Sequence, residues 1–172
     1  MAKLFLMCGC SGCGKSTFAK EFAKRKNILY FGIDEFYEKY NGDECRHVNT
    51  FDVWITFYQA IHDAEMKGLD IIVDTNALTK SSRDQFLDWF PTFEHHLIFM
   101  DCLDELRDKN NQARRRVVPK EKMEEMRRKL EVPYQWKEDY RWKSIAFIWN
   151  DKNKIRMPLP SVVHGDEQDW KV

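Results

Sequence analysis

The chain has 172 residues, enough for one domain with a core of its own, and 43% of them are hydrophobic. Its 28 lysines and arginines balance 28 aspartates and glutamates, which argues against a broad electrostatic surface for duplex DNA but leaves room for a small basic groove. No apolar run approaches a membrane span and the N-terminus enters a strand directly, so we expect a cytoplasmic protein with no membrane partner and no signal peptide.

Residues 3–8 read as a short buried strand and 15–26 as a helix with Phe18, Ala19, Phe22 and Ala23 on one face. Between them Gly9-Cys10-Ser11-Gly12-Cys13-Gly14-Lys15-Ser16-Thr17 fits the phosphate-loop pattern G-x-x-x-x-G-K-[ST]. Its glycines let consecutive backbone N–H groups turn into one cavity, and the helix N-terminus adds partial positive charge there. Lys15 is placed for β- and γ-phosphate oxygens, and the Ser16 hydroxyl for Mg²⁺. Three of the five cysteines, Cys8, Cys10 and Cys13, crowd this stretch. A metal on them would occlude the phosphates, so small filler residues are expected, with redox sensitivity as the alternative, through Lys15 and the helix end lowering a thiol pKa.

A second strand is expected over 28–33, with Asp34-Glu35 just beyond it, one strand over from the loop and facing it. Residues 38–49 read as loop or short irregular helix. A helix over 50–67 carries Phe51, Trp54, Tyr58 and Ile61 on one stripe, read as core packing, and stops at Gly68. The run 70–74 is β-branched, ends on Asp74, and has the form of a Walker B strand. Ser82 and Gln85 suggest a capping box opening a helix through Phe90. Residues 95–101 read as the next strand, whose adjacent histidines alternate across it and cannot easily share a metal. A helix over 104–111 leads to Arg114-Arg115-Arg116 and Val117-Val118-Pro119. A charged helix follows over 120–130, with Met123, Met126 and Leu130 on its apolar side. The last strand covers 144–149 and turns at 151–153, and residues 158–172 read as a weakly ordered tail. The alternation predicts a three-layer α/β fold with a mainly parallel central sheet over 1–157, the phosphate-loop strand central and the Asp74 strand beside it.

Phosphate loops serve switches, motors, ATPases and kinases, so other residues must choose. Asn153-Lys154-Ile155-Arg156 fails the guanine pattern N-K-x-D, and Asp74 is followed by Thr75 and Asn76 rather than a second carboxylate to orient water. Transfer to an alcohol or another phosphate remains. An alcohol needs a proton acceptor, for which Asp34 is the candidate, and the arginine run at 114–116 sits where a closing lid would bring charge over the γ-phosphoryl group.

Over roughly 2–133 the chain resembles the phage-type polynucleotide 5′-hydroxyl kinases and the small P-loop kinases around them. The resemblance rests on the Gly9–Thr17 loop, Asp34 after the second strand, Asp74-Thr75-Asn76 after the third, Arg83, and the lid spacing of Asn111, Arg114 and Val118-Pro119. It implies a helical lid around 107–120, ATP and Mg²⁺ as cofactors, Asp34 as general base and Arg114 as lid arginine. It further implies Asp74 in the magnesium shell or acceptor site, and Asn76 and Arg83 at the acceptor. Two positions depart from the family. Tyr37 and Asn110 stand where nucleic-acid members carry phosphate-binding arginines, and Tyr37 is then expected to contact the acceptor's base or sugar. The leading acceptor is a 5′-OH end of RNA or DNA. A small-molecule alcohol (nucleoside, sugar or antibiotic) is the alternative, and a nucleotide-binding regulator without turnover the second.

Overall fold

The computed structural model describes residues 1–42, 50–115, 117–151 and, for the backbone alone, 154–156. The expected loop at 43–49, Arg116, the turn at 152–153 and the tail from 158 lie outside the described residues.

Six strands form one sheet in the order β2 (Leu29–Gly32), β3 (Ile71–Asp74), β1 (Lys3–Cys8), β4 (Glu94–Cys102), β5 (Trp142–Asp151) and β6 (Lys154–Arg156). The first five strands in this order run parallel through four pairings, and β6 returns antiparallel on β5. The α/β architecture with β1 central and the Asp74 strand beside it therefore holds. One detail differs: β2 is not the immediate neighbour of β1, because β3 lies between them.

β1 is buried on both faces, as a central parallel strand must be. Leu4, Leu6 and Cys8 face a core shared with Phe57 and Ile61 of α3 (Thr50–Met66) and Phe86 and Leu87 of α4 (Lys80–Trp89). Phe5 and Met7 face the other core, under Phe18, Ala19 and Phe22 of α1 (Lys15–Lys26). The two histidines of β4 divide between these faces. His95 meets Trp142 edge-on, whereas His96 stacks on Phe5 and bonds Ser144 Oγ at 2.8 Å.

Several boundaries differ from expectation. Gly32 ends β2 in extended conformation and α2 (Ile33–Asn41) starts at once, so Asp34 belongs to a helix's first turn. There its charge complements the helix dipole. α4 opens earlier than Ser82: Thr79 is its N-cap, and Ser82 occupies the third position of the capping box. On α3 the buried stripe runs through Val53, Phe57, Ile61 and Ala64, while Phe51 is 76% exposed. That shift turns Trp54 and Tyr58 aside from the deepest core. The remaining helices, α5 (Asp104–Gln112) and α6 (Lys120–Lys129), flank the Arg114 segment.

Candidate active site

The phosphate loop leaves β1 at the carboxyl rim of the sheet. Gly9, Gly12 and Gly14 have φ of 140°, 88° and 98°, a region costly for other residues. Space enforces the same choice, since a Cβ at Gly9 would stand 2.2 Å from the Met100 carbonyl oxygen, and one at Gly14 2.8 Å from Asn150 Nδ2. Gly14 caps α1 without any side-chain bond to the first turn, so the N–H groups there are left for an anion. Lys15 is 6% exposed and donates from Nζ to the Cys10 carbonyl oxygen at 2.9 Å.

The loop cysteines turn inward. Cys13 Sγ donates to the Cys10 carbonyl at 2.8 Å and lies 3.2 Å from that of Met100, and Cys8 Sγ donates to Ala77 O at 3.2 Å. Burial pushes all three thiols up, Cys8 to about 12, and outweighs the opposing pull of Lys15. The expectation that Lys15 lowers a thiol pKa is therefore overturned: desolvation is the larger effect. The cysteines fill space.

A cavity of about 1220 Å³ opens over the loop. Ser11, Gly12, Gly14, Lys15, Ser16 and Thr17 line it, together with Asp34, Tyr37, Asp74, Asn76 and Arg114. Gly9, Cys10 and Cys13 lie behind this surface and shape it. The register explains the convergence: Met7 and Gly32 are both level with Asp74, so the loop, Asp74 and Asp34 leave the sheet at one height. Asp74 Oδ2 accepts from Tyr30 Oη at 3.0 Å, and the Asn76 carbonyl receives the Gly9 N–H at 3.0 Å. Tyr37 is 3% exposed and lines the cavity.

Asp34 is 42% exposed, and its Oδ2 lies 3.6 Å from Arg114 Nη2, an ion pair without a hydrogen bond. Arg115 points instead to Glu38 at 3.8 Å on the surface. The segment carrying Arg114 is closed by Asn111, whose Nδ2 donates to Val118 O at 2.8 Å while its Oδ1 accepts from Val118 N at 2.9 Å. This reciprocal pair gives the Asn…Val-Pro spacing a physical cause. Next to it, Asn110 Nδ2 donates to Gly12 O at 2.8 Å and ties α5 to the phosphate loop.

Arg83 does not join this set. Only 1% exposed, it donates from Nε to Glu138 at 3.0 Å, from Nη2 to the same carboxylate, and from Nη1 to the Ala77 and Leu78 carbonyls. The expected acceptor contact at Arg83 is corrected: it is a buried brace between α4 and the segment before β5. Conversely, the aromatic walls from Trp54, Tyr58 and Phe86 were not foreseen as cavity residues. The signal lay in the period of α3, once Val53 and Phe57 rather than Phe51 are taken as its inward face.

Thr75 Oγ1 and Asn150 Oδ1 are buried with no partner among the described residues, and both residues line the cavity. Both are therefore open to a hydrogen bond from a ligand or an ordered water. Among the described residues no group of three or more His, Cys, Asp or Glu forms a metal cage. Ser16 and Asp74 at the cavity suit Mg²⁺, which takes few protein ligands and completes its shell with phosphates and water.

The fold and site define a P-loop kinase-like, nucleotide-binding domain. A family profile described as AAA domain matches residues 4–133, and the chain belongs to that family. Comparison with curated proteins finds no match. Among solved structures, the Pnkp1/Rnl/Hen1 RNA repair complex contains a chain 21% identical, with TM-score 0.67 over 81% of this chain and 47% of that one. A sugar kinase from Janibacter sp. HTCC2649 is 17% identical, with TM-score 0.64 over 87% of this chain and 86% of that one. A gluconokinase from Sinorhizobium meliloti 1021 is 16% identical, with TM-score 0.58 over 86% and 82%. At these identities the likeness is one of fold. No helix among the described residues is long and apolar enough to cross a membrane.

Proposed function

We propose that the chain transfers the γ-phosphoryl group of ATP to an alcohol, with the 5′-OH end of RNA or DNA as the leading acceptor. The observation that carries this is the Asp34–Arg114 pair, 3.6 Å apart, over the cavity that the phosphate loop floors. A proton acceptor and a cation are the two groups alcohol phosphorylation asks of a protein. Asp34 takes the hydroxyl proton as the alcohol oxygen bonds to the γ-phosphorus and that phosphorus parts from the β–γ bridging oxygen, which leaves with ADP. Arg114, on a lid at 107–120 within a kinase domain spanning 1–157, offsets charge on the transferred group. Lys15 exchanges the Cys10 carbonyl for β- and γ-phosphate oxygens, a stronger charge-assisted contact. Mg²⁺ at Ser16 and Asp74 would neutralise phosphate charge, while Tyr37 and Asn76 bound the acceptor.

Tyr37 and Asn110, standing where nucleic-acid kinases carry arginines, favour a second reading in which the acceptor is a small-molecule alcohol. The two are separated by incubating the protein with γ-labelled ATP, Mg²⁺, 5′-OH oligonucleotides and a panel of small alcohols. Label on the oligonucleotide is expected. Label on a small alcohol alone selects the second reading, and ATP binding without transfer to any acceptor leaves a nucleotide-binding regulator.

A further inference from the structure

The cavity of about 1220 Å³ reaches from the phosphate loop to α3 and α4, and the wall on that side has a chemical character of its own. Tyr37 from α2, Trp54 and Tyr58 from α3 and Phe86 from α4 form its walls. The Trp54 and Tyr58 rings lie 5.3 Å apart at 35°, and Tyr58 meets Phe86 at 6.2 Å. Tyr37 and Phe86 are buried, 3% and 4% exposed, but Trp54 and Tyr58 are not wholly core residues. Phe57, between them in sequence, is fully buried, whereas Trp54 and Tyr58 keep part of their surface open at the cavity. Gln85 borders the same wall with its carboxamide unbonded among the described residues.

The cations here are already engaged. Lys122 and Lys129 both hold Glu125, at 2.8 and 2.6 Å, and Arg114 faces Asp34. A sugar acid or polyol would need a partner for each hydroxyl it loses from water; the four rings supply few, and the Thr79 and Ser82 hydroxyls that also line the cavity are bonded to each other in the α4 cap. A flat ring gains by stacking there, and a carboxamide can donate to and accept from its polar edge.

Resting on the alcohol-kinase reading above, we infer that the wall of Tyr37, Trp54, Tyr58 and Phe86 receives a nucleobase. The phosphorylated hydroxyl then belongs to a nucleoside, free or at a nucleic-acid end, and Trp54 and Gln85 determine that specificity.

The experiment compares kcat/KM for a 5′-OH oligonucleotide, the same oligonucleotide with an abasic 5′-terminal sugar, a free nucleoside, and gluconate, in the wild type and in Trp54→Leu and Gln85→Ala. Loss of the terminal base should lower kcat/KM about tenfold or more. Trp54→Leu should lower it by a similar factor for base-bearing acceptors and scarcely change the abasic one. Gln85→Ala, at an exposed helix position that leaves folding intact, should change the ranking among the four bases. Equal kcat/KM for base-bearing and abasic ends, a preference for gluconate, or equal losses across all acceptors in both variants would overturn the inference while leaving the kinase reading standing. Where no acceptor is phosphorylated, the kinase reading fails by itself, and calorimetry with the protein loaded with a non-hydrolysable ATP analogue decides: nucleoside binding over ribose supports the base site, and no preference ends it.

Discussion

Lys15 sits on a backbone carbonyl rather than a carboxylate, so its charge is weakly held and ready for transfer to a phosphate. Asp34 is held differently, with over 40% of its side chain open and a guanidinium near one oxygen. Replacing Asp34 by Asn keeps the shape and removes the carboxylate proposed as proton acceptor. Steady-state turnover should fall about 10²–10⁴-fold with ATP affinity little changed. Arg114→Ala should lower turnover while the melting temperature stays close to wild type, since a one-third-exposed side chain contributes little to packing. Full activity in that variant would remove Arg114 from the lid role. At Gly14, alanine must adopt φ of 98° with its Cβ 2.8 Å from Asn150 Nδ2. Gly14→Ala should therefore weaken ATP binding measured by calorimetry and lower the melting temperature together.

At the level of elements, the brace between α4 and the segment before β5 is a buried ion pair, Arg83–Glu138, with side chains 1% and 2% exposed. Removing one partner strands a charge in the interior. Glu138→Ala should cost about 3–5 kcal/mol in urea denaturation. Arg83→Met combined with Glu138→Leu should recover much of that loss, and acceptor KM in the double variant should stay near wild type if Arg83 never touches the acceptor. This element also marks the limit of reading from sequence. The phosphate loop, the Asp74 strand and the Asn111…Val118 spacing are local patterns whose causes lie within a few residues, and they were legible. Arg83 was not, because the carboxylate that claims it stands 55 residues away. The start of α2 was missed for another reason. Ile28 to Ile33 is continuously apolar apart from one glycine, and nothing in its periodicity says that Gly32 ends the strand and Asp34-Glu35 begin a helix.

Across the whole molecule, two cores on opposite faces of one sheet hold the carboxyl rim in register, and stability and site geometry are linked through that sheet. β4 carries His95 into one of these cores, 4% exposed, and burial pushes its pKa from 6.5 down to about 4. The folded protein thus resists a proton that the unfolded chain accepts. Stability from this residue is fully present above about pH 6.5 and declines as pH falls toward 4, by up to about 3 kcal/mol. Urea midpoints followed from pH 7 to pH 4 should fall, and His95→Leu should flatten that slope. A slope unchanged by the substitution would assign the acid sensitivity to other groups. The sheet order was largely readable because strand–helix alternation with a phosphate loop restricts topology strongly. The position of β2 beyond β3 was not, since sequence order gives no adjacency.

The carboxamide of Asn110 on the Gly12 carbonyl has a thermodynamic corollary. One bond joins the phosphate loop to the helix that leads into the Arg114 segment, a direct contact through which the two can be coupled. On the proposed function, whatever factor the acceptor exerts on ATP affinity through this contact, ATP exerts on acceptor affinity in return. Asn110→Ala should separate the two equilibria, bringing each ligand's dissociation constant, measured with and without its companion, to a single value.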